Sequence, residues 1–186
     1  INPLATVNAG LNQTICAGSS VTLNGSFGGG ASSAQWSGGT GIFTDINSLT
    51  TIYIPGPGDI TAGSVTLTLT TDDPDGPCLD VSDQVLITIN TPAVVNAGSD
   101  LESCASSPAV TLNGSITGGI TTGTWIGGTG TFSPGSTTLN AIYTPSPAEI
   151  TAGSVTLTLT SNDPPGACTP NSDQVIITIY PVATVD

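Results

Sequence analysis

The 186-residue sequence contains no lysine, arginine, histidine or methionine. Without histidine or lysine it lacks the commonest general base, the Schiff-base amine, the Ser–His and Cys–His pairs and imidazole metal ligands. Without lysine or arginine nothing neutralises a phosphate, and a formal charge of −13 repels nucleic acid and anionic lipid. All 13 carboxylates therefore lack a side-chain cation, so no internal salt bridge can form. Aromatic residues make up only 4% of the chain, and no apolar run approaches the ~20 residues that span a bilayer. What is present points to a folded, strand-rich chain. Hydrophobic residues reach 37% with a mean hydropathy of +0.26, too apolar for a disordered acidic tail. The 24 glycines, 14 prolines and abundant Thr, Val and Ile favour short strands and turns and exclude a helical bundle.

The chain repeats itself. Val7-Asn8-Ala9-Gly10 returns at 95–98, VTLNGS at 21–26 returns at 110–115, and GGTG at 38–41 returns at 127–130. ITAGSVTLTLT at 60–70 is identical at 150–160, and SDQV at 82–85 returns at 172–175. Such self-similarity defines two domains, 1–91 and 92–186. Ile1 to Asn8 also matches Ile179 to Asp186. Residues 1–3 are accordingly expected to be the tail of a preceding repeat and 181–186 the start of a following one.

Within a repeat the period is two. Val65, Leu67 and Leu69 alternate with threonines, and Val85, Ile87 and Ile89 with weakly polar neighbours. Breakers at 17–19, 28–30, 37–39, 55–57 and 73–76 separate strands expected near 4–7, 12–15, 20–26, 33–37, 40–44, 50–54, 63–71 and 83–90. Seven or eight short strands per repeat predict two tandem immunoglobulin-like antiparallel β-sandwiches. Trp36 and Trp125 fall where a strand crosses the core, and Tyr53 and Tyr143, each two residues before a proline, read as packing residues at a strand end. Asp83 and Asp173, which sit in SDQV in both repeats, are expected to bond backbone N–H groups.

VNAGxNQTIC, AGSSVTLNGS, WSGGTG, ITAGSVTLTLT and SDQV together resemble the PKD-like, Ig-like tandem repeats of large secreted or cell-surface proteins of Bacteroidota, among them giant adhesins of the gliding type. The WDFGDG signature of the better-known PKD repeats is replaced by WSGGTG and WIGGTG. The resemblance implies an extracellular or cell-surface stalk, adhesin or fibre and brings no active-site residues.

Each repeat holds two cysteines, Cys16 and Cys78, then Cys104 and Cys168. An even, regular count without histidine indicates disulfides in an oxidising compartment. Two pairings are open. Cys16–Cys78 and Cys104–Cys168 would close each repeat on itself and are the preferred expectation. Cys16–Cys168 would instead tie one repeat to the other and leave Cys78 and Cys104 for neighbouring repeats. The acidic turn containing Asp72, Asp73 and Asp75, with Asp163 at the aligned place, offers oxygen ligands of the kind Ca²⁺ takes, although a solvated turn is the default reading. No other cofactor is expected. The sequence therefore predicts a non-catalytic structural segment of an extracellular fibre whose partners are neighbouring repeats or copies. The alternative is an adhesin that binds a glycan or cell-surface partner through the Gly- and Thr-rich loops at 27–33 and 116–124.

Overall fold

Alternating Val, Leu and Thr place one apolar and one polar row on opposite faces of an extended chain. The computed structural model, which describes residues 3–72, 79–162 and 166–183, buries Val65, Leu67 and Leu69 and leaves Thr66, Thr68 and Thr70 at least partly exposed. The chain forms two compact units, Ile1–Thr91 together with Pro165–Cys168, and Pro92–Pro164 together with Thr169–Asp186.

In the first unit the strands are β1 (Thr6–Asn8), β2 (Gln13–Cys16), β3 (Val21–Asn24), β4 (Ser26–Gly28), β5 (Ala34–Ser37), β6 (Ile42–Phe43), β7 (Thr50–Ile54), β8 (Ser64–Thr71) and β9 (Ser82–Asn90). A short helix, α1 (Pro57–Ala62), joins β7 to β8. One sheet has the order β2-β9-β8-β5, the other β3-β7-β6, and β1 pairs with β4. Leu67 lies opposite Val85 and Trp36 opposite Leu69, and with Leu23 and Tyr53 from the second sheet they form one core.

The second unit repeats this plan with β10 (Ala93–Asn96), β11 (Leu101–Cys104), β12 (Val110–Thr111), β13 (Ser115–Gly118), β14 (Gly123–Ile126), β15 (Thr131–Ser133), β16 (Ile142–Thr144), α2 (Pro147–Ala152), β17 (Ser154–Ser161) and β18 (Ser172–Tyr180). Its sheets run β11-β18-β17-β14 and β12-β16-β15, with β10 paired to β13. The protein is thus a tandem of two Ig-like β-sandwiches.

Two local features depart from the sequence expectation. The pairing is antiparallel except at β2 and β11, which run parallel to β9 and β18. The chain leaves β1, crosses to the other sheet and joins the edge of its last strand. Side chains pin that crossing: Asp83 Oδ2 accepts the Ala9 N–H at 2.8 Å, and Asn12 Oδ1 accepts the Leu86 N–H at 2.9 Å. Asp173 accepts the Ala97 N–H and Asp100 the Ile176 N–H in the second unit, both at 2.9 Å. Asp83 and Asp173 thus bond backbone N–H groups, as expected from their recurrence. The second departure is the helix, which begins at Pro57 where the prolines and glycine read as a break. Proline at the first helical position costs no hydrogen bond there, and the segment forms only six residues of helix.

The break between β3 and β4 explains the repeated VTLNGS. A Cβ on Gly25 would overlap Leu69 Cδ2 and lie 3.0 Å from Trp36 Cζ2; at Gly114 it would lie 2.8 Å from both Leu159 Cδ2 and Trp125 Cζ2. The glycine makes room for the indole, which is 2% exposed at Trp36 and 1% at Trp125. Gly114→Ala is expected to destabilise the second unit by about 1–3 kcal/mol through overpacking, measured by urea unfolding. Charge acts on the whole chain. With 13 carboxylates and no side-chain cation, added salt can only screen repulsion among side chains. The melting temperature is therefore expected to rise steadily as NaCl increases from ~0.01 M, where the screening length is ~30 Å, to ~0.15 M, where it is ~8 Å. A fall over that range would contradict this electrostatic picture.

Candidate functional site

WSGGTG, a breaker in the sequence, builds a buried polar latch. Tyr53 is fully buried on β7, and its hydroxyl donates to Asp59 Oδ2 at 2.5 Å while accepting the Gly41 N–H at 2.8 Å. Asp59, 5% exposed in the first turn of α1, also accepts the Thr40 N–H and the Gly56 N–H, each at 2.9 Å. In the second unit the Tyr143 hydroxyl donates to Glu149, which accepts the N–H groups of Thr129 at 2.6 Å and Ser146 at 2.7 Å. Gly39 adopts a left-handed backbone with φ 69°, and the Tyr53 hydroxyl occupies the space that a side chain there would need. Burial raises the tyrosines, and the adjacent carboxylate adds to it, so that both are pushed up to about 12. Burial also pushes Asp59 and Glu149 up, but the hydrogen bonds they accept outweigh it and hold both below the ordinary carboxylate range. The latch is internal and holds a loop, a strand and a helix together. Tyr53 and Tyr143 are therefore more than packing residues, and Asp59 and Glu149 are not candidate surface ligands. The signal in the sequence is the spacing of six residues from tyrosine to carboxylate in both repeats, next to Pro at the helix start and with Ser146-x-x-Glu149 as a capping box.

The cysteines pair across the repeat sequences. Cys16 is bonded to Cys168, with Cα atoms 4.9 Å apart, inside the range a disulfide allows. This replaces the preferred pairing of Cys16 with Cys78. The reason lies in the strand register: Cys16 is opposite Asn90 at the end of β9, whereas the 72–81 segment leaves from Ser82, eight residues away along the same strand, or about 27 Å. The segment around Cys168 instead belongs to the first unit. The Cys168 sulfur lies 3.4 Å from the Asn90 carbonyl oxygen, and Gly166, at φ 84°, lies against Asn90 and Thr14 where a side chain would not fit. Cys104 is a free, exposed thiol 3.2 Å from Ser106 Oγ, so the Cys104–Cys168 pairing does not form. Cys78 lies outside the described residues.

The acidic turn is only partly described, since Asp73, Asp75 and Asp163 lie outside it. Asp72 accepts the Ser32 hydroxyl and the N–H groups of Ser32 and Ser33 at 2.9 and 3.2 Å, which hold it below the ordinary carboxylate range. Its oxygens close the 27–33 loop. Among the described residues no three cysteine or carboxylate side chains converge as metal ligands. Beside Asp72, Ser33, Gln35, Asn47 and Thr70 line an open depression of about 390 Å³ that contains no aromatic side chain. Among the described residues no helix is long and apolar enough to cross a membrane.

Solved structures share this architecture. The chain resembles immunoglobulin domains 1–4 of Sidekick-1 with 14% identity and a TM-score of 0.57, covering 96% of this chain and 49% of that one. It resembles the titin I-band fragment I67–I69 with 12% identity and a TM-score of 0.56, covering 97% and 67%. Mouse cadherin-23 EC22–24 matches at 13% identity and a TM-score of 0.52, covering 96% and 67%. The chain thus spans about half of the Sidekick-1 fragment. No protein-family model matches the chain, and the search of curated proteins found no match. At these identities the likeness defines the fold: a tandem Ig-like repeat protein.

Proposed function

We propose that this chain is a structural segment of an extracellular or cell-surface stalk, a non-catalytic scaffold of Ig-like repeats that carries tension. One observation carries the reading: the disulfide joins residues 152 apart, from the first repeat sequence to the second. Tension applied outside the bond passes from residue 16 to residue 168 through it, so the chain between them, β3 to β17, cannot be drawn out, while β1, β2 and β18 stay in the load path. The resemblance of WSGGTG and ITAGSVTLTLT to PKD-like repeats of Bacteroidota surface proteins supports the same location, as does a disulfide in a chain that lacks the usual metal-binding and catalytic partners of cysteine. The Ig and cadherin tandems that share the fold fit an architectural or adhesive role.

Antibodies raised against the chain should label the surface of unpermeabilised source cells and thread-like material attached to them. Labelling only after permeabilisation would overturn this reading. Binding of a glycan through the 27–33 loop is the second reading, favoured by the depression beside Asp72. Saturable binding in a glycan screen that is lost on Asp72→Ala would establish it.

A further inference from the structure

The end of β2 in the first unit is a ledge with an occupant. Cys16 lies opposite Asn90 in a parallel pair, the next residue, Ala17, donates its N–H to the Asn90 carbonyl at 2.8 Å, and Cys168 is bonded alongside. The second unit builds the same ledge. Cys104 lies opposite Tyr180 in the parallel β11–β18 pair, and Ala105 donates its N–H to the Tyr180 carbonyl at 2.8 Å. The opposing residue is Tyr180 in place of Asn90, Ser106 stands in place of Gly18, and here the sulfur is free and exposed. Cys16 therefore serves as the internal comparison for Cys104, with the equivalent strand, the same parallel pairing and the same backbone hydrogen bond.

We propose that Cys104 forms a disulfide with the Cys168-type cysteine of another repeat of this kind, so that a bond like Cys16–Cys168 recurs once per repeat along the fibre. This deepens the stalk reading and rests on it. The hydrogen bonds around Ser106 hold the Cys104 thiol below its ordinary value, which favours the thiolate that attacks disulfides. The oxidant is a small-molecule disulfide such as oxidised glutathione. The Cys104 thiolate attacks one of its sulfurs and expels one glutathione thiolate. The incoming cysteine thiolate then attacks the Cys104 sulfur of the mixed disulfide and expels the second. Two protein thiols lose two electrons and two protons, and one oxidised glutathione becomes two reduced ones.

The chain itself contains both halves of such a bond, because the sequence counterpart of Cys168 is Cys78, which lies outside the described residues. The test mixes isotopically light and heavy copies of the chain in a glutathione redox buffer. Products are separated without reduction, and the cross-links are mapped after cleavage at acidic residues, since the chain offers trypsin no site. Dimers and higher multimers joined Cys104 to Cys78 between light and heavy copies are the expected result. C104S should reduce the multimer fraction at least tenfold while leaving Cys16–Cys168 intact. Three outcomes would overturn the proposal: Cys104 remaining unlinked in a monomer, Cys104 bonded to Cys104, or Cys104 bonded to Cys78 of the same copy. Each leaves the stalk reading to be judged separately by surface labelling and by pulling.

Discussion

Breaking the Cys16–Cys168 bond, by reduction or by the double substitution C16S/C168S, is expected to lower the unfolding free energy by roughly 3 to 5 kcal/mol. The bond closes a loop of residues 152 apart, and on the chain-entropy model a loop of that size restricts the unfolded chain by about 5 kcal/mol. The cores add few large aromatic side chains to offset its loss, since each unit buries one tryptophan and one tyrosine among small aliphatics. Replacing both cysteines leaves no new unpaired thiol. Urea unfolding of the oxidised chain, the reduced chain and the double variant checks this: the last two should coincide and fall below the first. Equal stability with and without reductant would mean that the link contributes nothing.

Removing either latch hydroxyl is expected to be almost as costly. Tyr53→Phe or Tyr143→Phe keeps the ring but leaves a buried carboxylate and a backbone N–H short of a partner, a loss of about 3 kcal/mol in the affected unit. The latches also set the response to pH. Asp59 and Glu149 are held below their ordinary values of 3.8 and 4.5, so their contribution is complete above those values and is lost as pH falls through the lower folded ones. The tyrosines move the other way, from 10.0 to about 12, so their contribution is complete below 10.0 and is lost as pH rises toward 12. Stability should therefore be level between about pH 5 and pH 9 and fall on both sides. The alkaline fall should shrink in a Tyr53→Phe/Tyr143→Phe variant followed by urea midpoint against pH. An unchanged alkaline fall would exclude the tyrosines as its source.

The alternation in ITAGSVTLTLT made the central strands legible, because burying one face of a sheet imposes a period of two that no other structure shares. The tryptophans were legible for a related reason: a chain with so few large side chains has few ways to fill a core. The parallel entry of β2 was not, because it depends on Asp83 and Asn12 reaching backbone groups 74 residues distant. The latch was hidden by composition. Gly39 and Gly41 look like chain breaks, yet their backbone must pass close to Tyr53, and Gly41 presents its N–H to the hydroxyl. The sequence favours cysteine pairs within each repeat, and the structure differs, because spacing along the chain does not tell which end of a sandwich each cysteine reaches. The register of Cys16 with Asn90 decides that.

Whether tension bypasses the span between Cys16 and Cys168 is tested most directly by pulling single molecules of the 186-residue chain from its two ends, first oxidised and then with reductant. Oxidised molecules should stretch only in the segments outside the bond. Reduction should release the 152-residue span, about 500 Å of extended chain at ~3.3 Å per residue, as unfolding steps absent before. Equal extension in the two conditions would contradict a scaffold that carries its load through Cys16 and Cys168, because the span between them would then be drawn out with or without reductant.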